Sequence, residues 1–251
     1  MKRIAVVLSF VLAFNSGLVA NAAVKSGTAC KKLGITSTVS GIKFTCIKYG
    51  SKLIIDETHT ISAGAGGMTS QLGLKPDFFV IGKAIGGGIP TGTFGMTHQM
   101  AAEIAAKVDR EVVDTGGVGG TLAGNPLSVA AMRATLEHVL TEDAFEKMIK
   151  LATVFTAGVN ELFDKYQLPW SINQLGTRAE YRFAKPYPIN GTAAFESADA
   201  ELEDFLHLYL ANRGVLLTPF HNMALMCPTT TLADVQRHHE VFEAAIAELV
   251  A

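Results

Sequence analysis

The chain shows no excess of charge of either sign. Its 21 Lys and Arg stand against 23 Asp and Glu, for a formal net charge of -2, and no long run of like charge interrupts the balance. Nucleic-acid backbones and acidic lipid surfaces need clustered basic side chains, so neither is the expected partner, and a small-molecule ligand becomes the default. Long hydrophobic runs are missing too: beyond the amino terminus, no apolar segment approaches the roughly 20 residues of a membrane-crossing helix. There is no internal repeat and no low-complexity linker. Cysteine is scarce, 3 in 251 residues. Cys30 and Cys46 lie close together without a nearby His or second thiol pair, which is half of a tetrahedral zinc shell, so no metal site is expected. What the chain does have is 49% hydrophobic residues, enough to bury a core.

The opening MKRIAVVLSFVLAFNSGLVANAA places Lys2 and Arg3 before an apolar run from Ile4 to Phe14, with small residues ahead of a cut after Ala22. That is the three-part pattern of a secretory signal peptide, 1–22, and it directs the chain to the exterior or the cell envelope. An uncleaved anchor or a buried helix is the alternative. In an oxidising compartment Cys30 and Cys46 read as a disulfide stapling a module too small for its own core, 23–52; in a reducing one they are two buried thiols. Cys227 is then an unpaired, buried residue. The stretch IKFTCIK within this module alternates as short β-strands do.

After Leu53 the pattern changes to apolar strands alternating with amphipathic helices, the signature of an α/β fold. LII and DFFVIG read as buried strands, and Asn125-Pro126 as an N-cap with proline at the first helical position. A helix follows through LSVAAMRATLEHVL, and another through EDAFEKMIKLATVFTAGVNELF. Later, Leu202, Phe205, Leu206, Tyr209 and Leu210 share one helix face, which Gly214 ends. GVLLTP reads as a strand, and Thr231 with Asp234 opens the last helix.

Asp56 stands at the C-terminal end of the first of these strands, where open α/β sheets place their ligands, and as a buried carboxylate it needs a positive partner. Lys83 follows the next strand and precedes Gly86, Gly87 and Gly88, which permit close backbone approach to a bound group. An acid for a pyridinium nitrogen and an amine for an aldehyde together point to pyridoxal 5'-phosphate. Taken singly, Asp56 is equally a strand-end cap and Lys83 an exposed loop residue.

The segments LIIDETHT, LKPDFFVIGKAIGGGIPTGTFGM and GGTLAGNPLSVAAM resemble, in order and spacing, the class III aminotransferases, nearest the branch holding glutamate-1-semialdehyde aminomutase and the β-amino-acid transaminases. The likeness runs from about Leu53 to the C-terminus. It implies a partial aspartate-aminotransferase-like large domain (53–165, pyridoxal-phosphate fold type I) and an α+β small domain (166–251). It also implies Asp56 as partner of the ring nitrogen, Lys83 as the catalytic lysine joined to the cofactor, and transfer of an amino group from an amino donor to an oxo acid. Thr121, beside Gly120, matches the family residue that reaches the cofactor phosphate from the neighbouring subunit, which implies a homodimer. Thr58 occupies the place of a residue that packs on the ring, and His59 is either a contact of the cofactor or a satisfied strand-end histidine. In LGTRAEYRF, alternation puts Arg178 and Arg182 on one strand face, either to clamp a substrate carboxylate or simply as a solvated face. His221 and Asn222 are loop residues at the mouth of such a site.

Residues 23–52 resemble instead a short Cys-containing module of secreted actinobacterial proteins, carried by Cys30-Lys31-Lys32, Lys43-Phe44-Thr45-Cys46 and Gly50-Ser51-Lys52-Leu53. Set against the class III family, the chain lacks the phosphate-holding loop and the ring-stacking aromatic that precede the Asp motif. It is therefore expected to be truncated, to bind cofactor more weakly and to expose sheet edges. The alternative is a secreted, non-catalytic chimera that binds no cofactor, or a reading frame that joins two unrelated genes.

Overall fold

A computed structural model describes the backbone of residues 5–8, 36–39 and 42–47, and residues 52–106, 122–218 and 221–251 in full. Six strands form one sheet in the order β2-β3-β1-β4-β5-β6. They are β1 (Ala5–Leu8), β2 (Thr36–Val39), β3 (Ile42–Ile47), β4 (Ile54–Asp56), β5 (Phe78–Gly82) and β6 (Gly92–Met96). β4 runs parallel to β5 with Asp56 opposite Val80, and parallel to β1 on its other side. β2 and β3 thus join the sheet that carries the Asp56 strand, whereas the sequence sets residues 23–52 apart as a separate module. The Cys30–Cys46 pairing rests on side chains outside what is described: Cys30 lies outside the described residues, and only the backbone of Cys46 is described.

Between β4 and β5 come a 3-10 turn (Thr60–Ala63) and the short helix α1 (Gly67–Gln71). A second 3-10 turn, Lys83–Gly86, follows β5 directly. Helix α2 (His98–Ala105) is capped by the Thr97 hydroxyl, which accepts from Met100 N. α3 (Pro126–His138) starts as the sequence leads one to expect, with Asn125 accepting from Leu127 N and Ser128 N. Only Thr135 on this helix is buried, and Leu127 (65%) and Leu136 (50%) stand in solvent.

The main core lies farther along the chain. α4 (Glu142–Lys165) buries Phe145, Met148, Ala152, Phe155, Val159, Leu162 and Phe163, a stripe repeating at three and four residues. It packs against a three-stranded antiparallel sheet of β7 (Ser171–Leu175), β8 (Arg178–Arg182) and β9 (Met223–Leu225). α4 lies on the amino-terminal side of the 165/166 division, yet its buried stripe belongs to this core. α5 (Gly191–Glu196) is a short surface helix, while α6 (Ala200–Ala211) and α7 (Leu232–Leu249) close the core. α7 begins with a reciprocal capping box between Thr231 and Asp234.

One expected strand does not form. Residues 215–218 of GVLLTP form no regular element and lie outside the sheet, and the third strand is the later segment Met223–Leu225. The run satisfies its apolar side by packing rather than by a ladder: Leu217 is buried while Leu216 points out, and Thr218 N donates to Met223 O at 3.1 Å.

Candidate active site

Two neighbouring parallel strands deliver the site. β4 ends on Asp56, β5 ends on Gly82, and Lys83 is the next residue, so the carboxylate and the amine leave the same edge of the sheet. Lys83 takes φ 51, a left-handed conformation that disfavours a side chain bearing a Cβ by roughly 1–2 kcal/mol. Its Nζ contacts Nε2 of His59, and both residues line a cavity of about 540 Å³. Thr58, Thr177, Arg178, Thr218 and His221 also line it, over an apolar floor that includes Phe145 and Met148. Among the described residues Lys83 has no carboxylate partner.

Asp56 departs from expectation: the side chain is exposed, not buried. Oδ1 accepts from Thr58 N at 2.8 Å, and no described group of the protein occupies Oδ2. The buried member of the pair is Glu57, at 0% exposure. One Glu57 oxygen accepts from the hydroxyl and the backbone N–H of Thr69, the other from the Thr60 hydroxyl and, at 3.3 Å, from Met68 N. Backbone N–H groups of a helix start and two threonine hydroxyls are the donors a carboxyl group needs once water is gone. Gly67 makes room for it, since a methyl group there would lie 2.7 Å from Glu57 Cδ. Glu57 therefore ties the 58–71 loop to the end of β4 and fixes where Asp56, Thr58 and His59 emerge. Sequence reading assigned no role to Glu57, although its signal was present in the threonines and glycines of DETHTISAGAGGMTS.

His59 is shifted toward its neutral form. Partial desolvation lowers its pKa, the positive charges of Lys83, Arg178 and His221 lower it further, and Asp56 opposes them. The two arginines of β8 do share a face with Glu180, while Ala179 and Tyr181 turn into the core. Arg182 donates to Glu180 at 2.8 Å, and His221 Nδ1 lies 3.7 Å from the same carboxylate. Arg178 and His221 line both the large cavity and a second one of about 240 Å³ beside it. Asn222 is buried, with its amide donating to Glu203 at 3.1 Å, so it supports the fold rather than the mouth of the site.

Cys227 is free and exposed at the cavity wall, not buried as expected, because it sits in the turn that leads into α7. Hydrogen bonds from the Thr229 and Thr230 hydroxyls, at 3.1 and 3.2 Å, lower its pKa to about 7. Gly120 and Thr121 lie outside the described residues.

The profile of the family "Aminotransferase class-III" matches residues 35–246. A glutamate-1-semialdehyde 2,1-aminomutase of Anaeromyxobacter sp. is 30% identical over 213 residues, covering 84% of this chain and 48% of that protein. One from Staphylococcus epidermidis is 28% identical over 218 residues, covering 86% and 49%. The chain thus spans about half the length of the curated relatives it matches. Among solved structures, a glutamate-1-semialdehyde aminomutase from Pseudomonas aeruginosa in complex with PMP superposes with a TM-score of 0.74 at 47% identity, over 79% of this chain and 45% of that one. An omega-transaminase from Sphaerobacter thermophilus gives 0.62 at 27% identity, over 78% and 44%.

Proposed function

Because the chain belongs to the class-III aminotransferase family, we propose that it transfers an amino group between an amino acid or amine and an oxo acid, using pyridoxal 5'-phosphate. One observation carries this reading. Lys83, without a carboxylate partner among the described residues, faces a cavity of about 540 Å³, and Asp56 leaves the adjacent strand end with one oxygen unengaged. An amine for the cofactor's aldehyde and an acid for its ring nitrogen stand at one edge of one sheet, which is the donor set this cofactor requires. When bound, the cofactor supplies an electron sink for the carbanion formed at the amino-bearing carbon.

The chain's own groups do the rest. Lys83 Nζ is the base that takes the proton from the donor carbon and returns it. His59, whose pKa partial desolvation and the surrounding positive charge lower, accepts a hydrogen bond from Lys83 and so aims that amine. Asp56, with one oxygen unengaged, would hold the ring nitrogen in its protonated form. Thr58 lines the same wall. Thr121 with Gly120 would donate to the phosphate from a second copy of the chain, so the active unit we propose is a homodimer.

Incubation of the full chain with pyridoxal phosphate, borohydride reduction and peptide mapping tests the assignment. Label confined to Lys83, and lost in Lys83→Ala, is the expected result; no label at saturating cofactor overturns it.

A second reading rests on the leader-like opening of the chain: export after cleavage at Ala22, a Cys30–Cys46 disulfide, and a secreted or envelope protein without transferase activity. Cleavage there would remove β1, the strand between β3 and β4, so the two readings differ in sheet content as well as in place. Intact-mass measurement of the protein recovered from culture medium and from cells separates them.

A further inference from the structure

α7 turns His238 into the core, 4% exposed, with its ring 4.5 Å from that of Phe155 and 5.2 Å from that of Phe242. Both ring nitrogens are closed off from water, and among the described residues neither has a hydrogen-bond partner. The next residue shows the ordinary solution: His239 Nε2 lies 3.1 Å from the Phe155 carbonyl oxygen. A neutral imidazole carries one N–H donor and one bare acceptor nitrogen, and leaving them unpaired in the interior is costly. His238 also lines a cavity of about 220 Å³. The other walls are apolar and buried: Phe155 of α4, Leu217, Ala224 of β9, Met226 and Val235 of α7.

Size and charge narrow the occupant. A cavity of about 150 Å³ is enough for a benzene ring, so this one has room for a ring with a substituent. The aromatic face of Phe155 and the soft sulfur of Met226 suit a ring better than an aliphatic chain. The charged residues of the lining are already committed: Asp234 accepts from Thr231 N at 2.8 Å, and Arg237 contacts Glu240 at 3.4 Å and the Arg213 carbonyl at 3.3 Å. Burial lowers the His238 pKa to about 3, so its ring offers no positive charge either. The outer wall is the segment that forms no strand. Gly214 N and Val215 N turn back onto α6, and Thr218 N reaches Met223 O, but Leu216 N and Leu217 N between them have no backbone acceptor among the described residues. A wall held only at its ends moves aside without breaking a ladder.

We propose that this cavity binds a small neutral molecule of the phenol class, with its ring against the apolar walls and its hydroxyl donating to the bare nitrogen of His238. The 214–217 segment shifts outward to admit it. The site is separate from the one that holds Lys83, yet Leu225 and Met226 line both cavities, so an occupant on one side of β9 meets the chain that shapes the other. Neither the transaminase reading nor a cofactor is needed for it.

The test follows the histidine ring nitrogens of the isotope-labelled full chain by NMR during titration with phenol, toluene and benzoate. Phenol should move the acceptor-nitrogen signal of His238 upfield, as on accepting a hydrogen bond, and toluene, of equal size without the hydroxyl, should not. The phenol-to-toluene affinity ratio should fall about tenfold in His238→Phe, the size of one hydrogen bond to an otherwise unsatisfied buried group. Should that variant fail to fold, the wild-type nitrogen signals decide alone. Phenol that leaves the His238 signals unmoved overturns the proposal, as does an unchanged ratio in the folded variant. Benzoate moving the same signals as strongly would make this an anion site and sink the neutral assignment. Phenol should still move them when pyridoxal phosphate is saturating, and competitive displacement would put phenol in the Lys83 cavity and refute a second site.

Discussion

Replacing Glu57 tests the idea that a buried carboxyl group, rather than Asp56, anchors the edge of the site. Four donors converge on it: the Thr60 and Thr69 hydroxyls and the backbone N–H groups of Met68 and Thr69. In Glu57→Gln the least costly placement puts the amide nitrogen where Oε2 stood. The Thr60 hydroxyl can then turn and accept, the Met68 N–H loses a long 3.3 Å bond, and the two bonds from Thr69 remain on a neutral oxygen. That is one unsatisfied N–H and two weakened bonds, about 2 kcal/mol. In Glu57→Leu both backbone N–H groups are orphaned, neither can rotate away, and the cost rises to about 4 kcal/mol. Fluorescence of the single tryptophan reports on the core around α4, where Trp170 is buried, rather than on these amides. Amide hydrogen exchange of Met68 and Thr69 reads the loop directly, and their opening free energies should fall in the order wild type, Gln, Leu. A Leu variant within about 1 kcal/mol of wild type at those amides would refute the anchoring role.

Gly67→Ala should loosen the same loop, since Gly67 has φ 61 and a methyl group would meet Glu57 Cδ at 2.7 Å; the same exchange measurement should show protection lost at Thr69. His238 is 4% exposed with neither ring nitrogen hydrogen-bonded, and burial lowers its pKa from 6.5 to about 3. A folded-state pKa depressed below the unfolded one means full stability above about pH 6.5 and loss as pH falls toward 3, at most on the order of 5 kcal/mol. His238→Phe, which keeps the stacking on Phe155 and Phe242, should flatten urea stability between those pH values, and an unchanged slope would contradict the assignment. Cys227, with its pKa near 7, should react with iodoacetamide at pH 7 severalfold faster than a free thiol, and Thr230→Val should slow it as read by peptide mass mapping.

Much of the fold is legible in the sequence because the signals are local. Asn125-Pro126, Thr141 and the Thr231–Asp234 box cap helices through contacts within three residues, and the α4 stripe shows in its spacing alone. Two strands that each deliver one chemical group at their C-terminal ends are equally visible, which is why Asp56 and Lys83 pair in the sequence itself. GVLLTP misleads because an apolar run of that length is compatible with a strand and with an irregular packed segment, and only the partner across the gap decides. The same limit applied to the acidic pair: composition cannot say which of two adjacent carboxyl groups turns inward.

The sequence by itself determined the four long helices after residue 125, the two strands that end on Asp56 and before Lys83, and the likeness to class-III aminotransferases, since each depends on neighbours close in the chain or on a motif read in order. Tertiary structure alone decided which charges neutralise one another. Glu57 is buried because a helix start eleven residues away supplies its donors, and Glu180 pairs with Arg182 although Arg178 stands at the same two-residue spacing on the same face of β8. Partner choice among charges falls steeply with distance and desolvation, and both are properties of the folded chain rather than of the order of its residues.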